Sequence, residues 1–171
     1  MKIVPSEFSN SAWDCFLFAK ELAYKNKILW DYVKQGGTVI VQYNTSRGFD
    51  SSQMAPYPIK ISRDRVTNEN AEVRFLQKNH LLLNKPNKIS SKDFDDWVQE
   101  RGLYFAYDWD DRYQTLFSMN DKGEKPKNGS LLVADYGEGK FIFTGLSFFR
   151  ELPAGVPGAY RLFINLISYG K

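Results

Sequence analysis

The chain has 171 residues, 43% of them hydrophobic and 25% charged, which is enough for one globular domain and excludes a disordered chain. The formal net charge is only +3, and the 23 basic residues are scattered among 20 acidic ones, so no basic stripe argues for nucleic acid. A single cysteine, Cys15, and a single histidine, His80, exclude an intrachain disulfide and a zinc cluster built on cysteine.

The first part of the chain predicts a helix followed by a buried strand. Apolar residues recur at helical spacing, most regularly over 21–35, and Gly36–Gly37 supply a C-cap and a turn. The segment TVIVQY (38–43) is almost continuously apolar, which is typical of a strand buried on both faces. Residues 1–20 supply no convincing strand. We therefore treat 1–20 as an atypical N-terminal segment and expect the domain to occupy 21–171.

The middle of the chain predicts short elements separated by turns. AEVRFL (71–76) and YQTLFSMN (113–120) favour strands, because β-branched and aromatic residues are enriched there. SSKDFDDWVQERG (90–102) favours a short helix, with a serine cap and acidic residues in its first turn.

The last part of the chain predicts a hairpin and a closing helix. SLLVADYG (130–137) and KFIFTGLSF (140–148) favour two strands joined by a glycine turn. AYRLFINLISYG (159–170) has apolar residues on one helical face and favours an amphipathic helix.

Four long segments together resemble one protein family. They are YVKQGGTVIVQYNTSRG, PYPIKISRDRVTNENAEVRFL, NKI–KDF–DWVQERGLYF and GKFIFTGLSFFRELPAGVPGAYRLFINLI. These motifs resemble the glutamine amidotransferase-like C-terminal region of bacterial PIG-L (LmbE-like) deacetylases of the Bacteroidota type, across residues 21–171. The wider resemblance is to ThuA-like and class I glutamine amidotransferase-like proteins. It implies an α/β, flavodoxin-like fold with a mostly parallel sheet, flanking helices and a late β-hairpin, and a chain truncated at its N-terminus.

The resemblance implies a zinc-dependent deacetylase as the parent protein, with its zinc ligands in a separate N-terminal domain. We expect no cofactor and no metal site in this chain, because the zinc would belong to that absent domain. The expected function is a non-catalytic accessory domain for a deacetylase of N-acetylated sugars. Two alternatives stay open, namely a ThuA-like carbohydrate-processing enzyme and an oligomerisation domain. The expected partner is the deacetylase domain or subunit, with a sugar ligand or a second copy of the chain as further candidates.

The residues argue against a catalytic dyad in this chain. Cys15 lies in an apolar helical context without the flanking glycines of a nucleophile elbow. Ser147 and Phe148 stand where active relatives place a His followed by a Glu, and the nearby Glu151 has no His to orient. We therefore assign no catalytic residue.

A ligand cleft is predicted where two loops leave the sheet, because α/β sheets bind ligands at the carboxyl ends of their strands. One loop follows the strand 38–43, and the other follows the strand that ends near residue 146. The candidate residues are Asn44, Thr45, Ser46, Arg47, His80, Ser147, Arg150 and Glu151. A structural role stays open for the first loop as a hydrogen-bonded turn, and for His80 as a histidine bonded to backbone.

Aromatic residues cluster over 97–109. We expect Trp97 in the core, and Tyr107 and Trp109 at the surface as a sugar platform or a docking face.

The cellular compartment is not fixed by the sequence. No apolar run approaches the roughly 18 residues of a membrane span. The first residues, MKIVPSEFSNSAWDC, lack the pattern of a signal peptide. The relatives implied by the resemblance are often periplasmic or exported, and we expect any signal to precede residue 1.

Overall fold

The computed structural model of the protein describes residues 26–46 and 51–170. Helices cover 26–34 (α1), Ser51–Met54 (α2), Phe148–Glu151 (α3) and Pro157–Ser168 (α4), and two 3-10 helices cover Leu81–Leu83 and Ser91–Phe94. The strands are Thr38–Gln42 (β1), Ile59–Ile61 (β2), Arg65–Val66 (β3), Arg74–Phe75 (β4), Gly102–Leu103 (β5), Ala106–Trp109 (β6), Gln114–Thr115 (β7), Phe117–Ser118 (β8), Leu131–Tyr136 (β9) and Gly139–Thr144 (β10). The predicted segment 1–20, with Cys15, lies outside the described residues, as does Arg47.

The described part of the chain is an α/β domain, as the sequence predicts, and its main sheet is mixed. The strand order is β1-β10-β9-β7, in which β1 and β10 are parallel and the other two pairs are antiparallel. The prediction of a mostly parallel sheet is therefore wrong for the described strands. The predicted late hairpin is confirmed, since β9 and β10 pair over six residues across a tight turn at Gly137.

One face of this sheet packs against α4. Side chains alternate between the two faces of a strand. Leu131, Val133 and Ile142 thus point into a first core that also contains Leu162 and Leu166 of α4. The closing helix is confirmed, and its buried residues recur at helical spacing along one face.

The opposite face of the sheet packs against α1 and β2. Leu132, Phe141 and Phe143 point into a second core that also contains Val33 of α1 and Ile59 of β2. Because β9 and β10 are covered on both faces, their sequences are nearly continuous apolar runs.

The strand β1 is less buried than its sequence predicts. Only Val39 is buried, whereas Ile40 and Val41 are partly exposed. Among the described strands β1 has one neighbour, β10, so it lies at an edge of the part of the sheet that the structure describes.

The prediction of a helix over 90–102 is wrong beyond the first turn. Ser90 and Asp93 form the expected capping box, but the helix is a 3-10 turn that ends at Phe94. The backbone leaves the helical region at Asp95, whose ψ of 150° is extended, and Asp96 has a φ of 59°, which a continuing helix does not allow. The Asp93 carboxylate also accepts a hydrogen bond of 2.6 Å from Arg161, which joins this turn to α4.

The predicted strands at 71–76 and 113–120 are each shorter than expected. The second is divided at Leu116, whose N–H donates to Leu131 while its carbonyl accepts from Leu76. The chain therefore changes partner at this residue, so that β7 pairs with β9 and β8 pairs with β4.

Asn165 holds the closing helix to the rest of the domain. It is fully buried, donates to the carbonyl oxygens of Leu82 and Asn87 at 2.7 Å each, and accepts from the Asn87 N–H at 2.9 Å. These bonds satisfy backbone groups that would otherwise be buried without partners.

We expect Asn165→Ala to lower the free energy of unfolding by about 2–4 kcal/mol, because three backbone groups lose their partner and a cavity forms. Urea unfolding monitored by circular dichroism would measure this. The neighbouring Ile164 is 42% exposed, so Ile164→Ala serves as the control. It should lower the free energy of unfolding by less than about 1 kcal/mol. An Asn165→Ala variant as stable as this control would contradict the assignment.

Candidate functional site

The parallel strands β1 and β10 end side by side. Gln42 pairs with Thr144 at the last position of the register, and the Tyr43 N–H donates to the Thr144 carbonyl at 2.9 Å. The loop after β1 and the loop leading to α3 therefore leave the sheet at the same edge. This is the edge at which the sequence predicts a ligand cleft.

Ser147 and Glu151 meet at this edge, and both are fully buried. The Ser147 hydroxyl lies 2.6 Å from the Glu100 carbonyl oxygen and 3.1 Å from Oε1 of Glu151. The other carboxyl oxygen of Glu151 accepts a hydrogen bond from the Val98 N–H at 2.9 Å. The two predicted site residues thus contact each other and the backbone of the segment 98–101, and neither reaches solvent.

Burial raises the pKa of Glu151, although bonds from Val98 and Ser147 and the charge of Arg101 act in the opposite direction. The number of protons available for these hydrogen bonds fits a protonated Glu151 carboxyl. The Ser147 hydroxyl has one proton, and its shorter contact is to the Glu100 carbonyl. A protonated Glu151 would donate to the Ser147 oxygen and so satisfy both groups.

Arg101 lies behind this pair and is itself buried. Its guanidinium donates to the Ala71 carbonyl at 3.0 and 3.1 Å and to the Phe94 carbonyl. Burial lowers the pKa of Arg101 to about 10, while the charge of Glu151 acts in the opposite direction. Arg101 therefore ties the segment before β5 to two other loops beneath the site.

A group of five polar and aromatic residues lies at the same edge. We call it the strand-end cluster, and it consists of Tyr43, Glu100, Tyr104, Phe149 and Arg150. The Tyr43 ring centroid lies 4.3 Å from that of Phe149 and 5.5 Å from that of Tyr104. Oε1 of Glu100 lies 3.4 Å from both the Tyr43 hydroxyl and Nε of Arg150. The Arg150 guanidinium also lies 4.7 Å from the centre of the Phe149 ring.

The hydroxyl of Tyr43 is a hydrogen-bond donor in this cluster. Burial raises its pKa to about 12, and the charge and hydrogen bond of Glu100 act in the same direction. The phenol therefore stays protonated near neutral pH. Its contact with Glu100 is long, as is that of Arg150, so the Glu100 carboxylate is only loosely held.

The backbone around the cluster is strained. Tyr43, Asp96, Gln99 and Tyr104 have φ values of 50°, 59°, 65° and 62°, in the left-handed region that non-glycine residues seldom adopt. Each such residue costs on the order of 1 kcal/mol or more, and such residues concentrate at functional sites.

Two glycines bring the segment 100–105 onto the end of β10. The Leu103 N–H donates to the Gly145 carbonyl at 2.9 Å. A Cβ atom on Gly102 would lie 2.3 Å from the Gly145 carbonyl oxygen, and one on Gly145 would lie 2.5 Å from the Leu103 carbonyl oxygen. This close approach places Glu100 and Tyr104 beside Tyr43.

The other predicted residues of the first loop contribute less. Asn44 is half-buried, and its side-chain amide lies 3.4 Å from the Gln42 carbonyl. Thr45 is exposed and Ser46 is half-buried. Arg47 lies outside the described residues. The Arg150 guanidinium contacts the Glu100 carboxylate.

His80 does not lie at this edge of the sheet. Its Nδ1 accepts a hydrogen bond from the Leu82 N–H at 3.2 Å, and its Nε2 lies 3.4 Å from the Tyr169 hydroxyl. The Tyr169 carbonyl accepts a hydrogen bond from Thr38, the first residue of β1. His80 therefore lies near the amino ends of the parallel strands, and the structure does not bring it together with Ser147, Arg150 and Glu151.

Sequence reasoning missed Tyr43, Glu100 and Phe149. Tyr43 could have been found, since it is the residue directly after the predicted strand. Glu100 could not, because its placement depends on the long-range contact of Gly102 with Gly145. Among the aromatic residues of 97–109, Trp97 is buried as expected and Tyr107 is exposed, whereas Trp109 packs against the second core.

Within residues 26–46 and 51–170, no group of three or more His, Cys, Asp or Glu side chains is placed to hold a metal ion. None of the helices described is both long enough and apolar enough to span a membrane.

The fold and the site define an α/β domain with a mixed central sheet and a polar and aromatic cluster at the carboxyl ends of its parallel strands. No protein-family profile matches the chain. Among solved structures, the chain is similar to the cytoplasmic protein STM3548 from Salmonella typhimurium, with a TM-score of 0.55 and 16% sequence identity. The match covers 91% of this chain and 67% of that chain. At this identity, the similarity concerns the fold alone.

The raised pKa of Glu151 generates a prediction about pH. Because the folded pKa lies above the ordinary value of 4.5, the folded state binds more protons, and stability falls as pH rises from about 4.5 through the raised pKa. Glu151→Gln mimics the protonated carboxyl and should abolish this fall. We expect this variant to be at least as stable as the original chain at pH 7, as measured by urea unfolding across this pH range.

Glu138→Gln is the matched control, since Glu138 is exposed in the hairpin turn. It should leave the pH dependence unchanged. If Glu151→Gln lowered the free energy of unfolding by more than about 2 kcal/mol at pH 7, the fold would need the charged form of the buried carboxyl. The assignment of a protonated Glu151 would then be wrong.

Proposed function

We propose that this chain is a non-catalytic amidotransferase-like accessory domain that acts together with a PIG-L (LmbE-like) deacetylase of N-acetylated sugars. In this proposal the strand-end cluster is the surface that docks on the deacetylase domain. The flavodoxin-like topology is part of the same proposal, and it is supported by the parallel pairing of β1 and β10 and by the helices on both faces of the sheet.

The observation that carries the proposal is the burial of Ser147 and Glu151. They occupy the position at which a catalytic pair would be expected after the last strand. Their polar atoms are used for contacts with each other and with the backbone of 98–101, and both side chains are fully buried. A substrate cannot reach either group without opening the domain. This arrangement favours a structural role over a catalytic one.

The surface above this buried pair suits a docking role. Phe149 is 42% exposed and forms a flat apolar face beside the charged groups of Arg150 and Glu100. Aromatic residues and arginine are enriched in the central parts of protein interfaces. The strained backbone around the cluster fixes these side chains before a partner arrives, which lowers the entropy lost on binding.

A second candidate function is a sugar-processing enzyme that uses the strand-end cluster itself. The Glu100 carboxylate and the Tyr43 hydroxyl favour it, because they are loosely paired and lie next to an exposed aromatic ring. Such a combination is common where sugars are bound. Turnover of a sugar substrate that Glu100→Gln abolishes and that Glu138→Gln, in the exposed hairpin turn, preserves would support this candidate over the docking role.

The docking proposal is tested with a purified PIG-L-type deacetylase domain from the same organism. We expect the two proteins to bind at micromolar concentration in isothermal titration calorimetry. Phe149→Ala and Arg150→Ala should each weaken binding about tenfold or more, because each removes a central contact.

Tyr32→Ala is the matched control, because Tyr32 is an exposed aromatic residue on α1 whose ring lies against Gly37, at the opposite end of β1 from the cluster. It should leave the affinity unchanged. The docking proposal would be overturned by an absence of binding, or by binding that Phe149→Ala and Tyr32→Ala weaken to the same extent.

A further inference from the structure

A second concave surface, separate from the strand-end cluster, is lined mainly by charged side chains. It is an open groove of about 590 Å³ with one wall at Arg63, Asp64 and Arg65 and the other wall at 124–127. This volume lies within the range of about 300–1,000 Å³ that is usual for ligand pockets. We call it the basic groove. No residue of the strand-end cluster lines it.

One carboxylate joins the segment that follows the first wall of the basic groove to the segment that precedes the second. Asp121 accepts hydrogen bonds from the Thr67 N–H and hydroxyl at 2.8 Å and from the Asn68 N–H at 2.9 Å. Burial alone would raise the pKa of Asp121, but these bonds hold it below its ordinary value. The strand containing Arg65 also pairs with β5, and Lys127 forms a backbone bridge with Met119. The groove therefore exists before any ligand binds.

The charges along the groove are unbalanced. Its lining contains four basic and two acidic side chains, which leaves a net charge of +2. Lys127 pairs with Glu124 in one wall. Arg63, Arg65 and Lys125 form no ion pair with any residue in the described part of the chain. Two arginines and a lysine are thus available to an incoming anion.

We propose that the basic groove binds a small phosphomonoester. A phosphomonoester has a charge of about −1.5 to −2 near neutral pH, which matches the net charge of the lining. Arginine binds phosphate oxygens through two parallel N–H donors, and lysine adds a point charge. Asp64 lies between the two arginines and is suited to accept a hydrogen bond from a hydroxyl group of the ligand.

The test is a calorimetric titration of the 171-residue chain with glucose 6-phosphate, with glucose as the neutral probe and sulfate as a simple oxyanion. We expect glucose 6-phosphate to bind, glucose not to bind, and sulfate to bind more weakly than the ester. The double variant Arg63→Gln/Arg65→Gln should weaken binding about tenfold or more. Should this variant unfold, Lys125→Gln in the exposed loop provides the same test.

The control removes two positive charges elsewhere. Lys78 and Lys88 are exposed and do not line the groove, so Lys78→Gln/Lys88→Gln should leave the affinity unchanged. The proposal would be overturned by an absence of binding at millimolar glucose 6-phosphate, by sulfate binding as tightly as the ester, or by equal weakening in the two double variants. Equal weakening would indicate a general charge effect.

Discussion

The central constraint on this domain is that β10 must be buried on both faces. Ile142 points into the first core, and Phe141 and Phe143 point into the second. Burying these side chains stabilises the fold by a few kcal/mol each, so α4 is held on one side and α1 on the other. Because β10 also pairs with β1 in parallel, the chain leaves both strands at one edge. The positions of Tyr43 and of the loop leading to α3 follow from this single strand.

The site at that edge is completed by a segment that lies far away in sequence. Gly102 and Gly145 allow two backbones to approach more closely than any side chain would permit. The segment 100–105 is thereby fixed on the end of β10, with Arg101 bonded to other loops below it. The positive φ value of Tyr104 is one consequence of this packing. Tertiary contacts of this kind can hold a backbone in conformations that its own sequence disfavours.

The sequence predicted those parts of the fold that depend on local pattern. The hairpin, the closing helix and the strand after Gly36–Gly37 all have a clear periodicity and clear turn residues, and all are present. The prediction of a helix over 90–102 was wrong because the backbone after Phe94 bonds to distant segments, such as the Val98 N–H to Glu151 and the Arg101 N–H to Val66, which no local pattern reveals. Ser147 and Glu151 lie together at one edge because they are close in sequence and follow one strand. His80 was misplaced because the end of the sheet at which a loop lies is decided by long-range packing.

The burial of Ser147 and Glu151 separates two groups of polar residues that the sequence alone treats as one. The buried pair is satisfied within the protein, and its cost of desolvation appears as a raised pKa of Glu151. The Arg150 side chain above it is 38% exposed, whereas that of Glu100 is only 12% exposed and lies mostly beneath Arg150 and Tyr43. The groups of this edge that face solvent are therefore Arg150 and the ring of Phe149, while the inner pair keeps the loop to α3 in place. The same edge thus has a buried polar layer and an exposed layer, and in the docking proposal only the exposed layer is open to a partner.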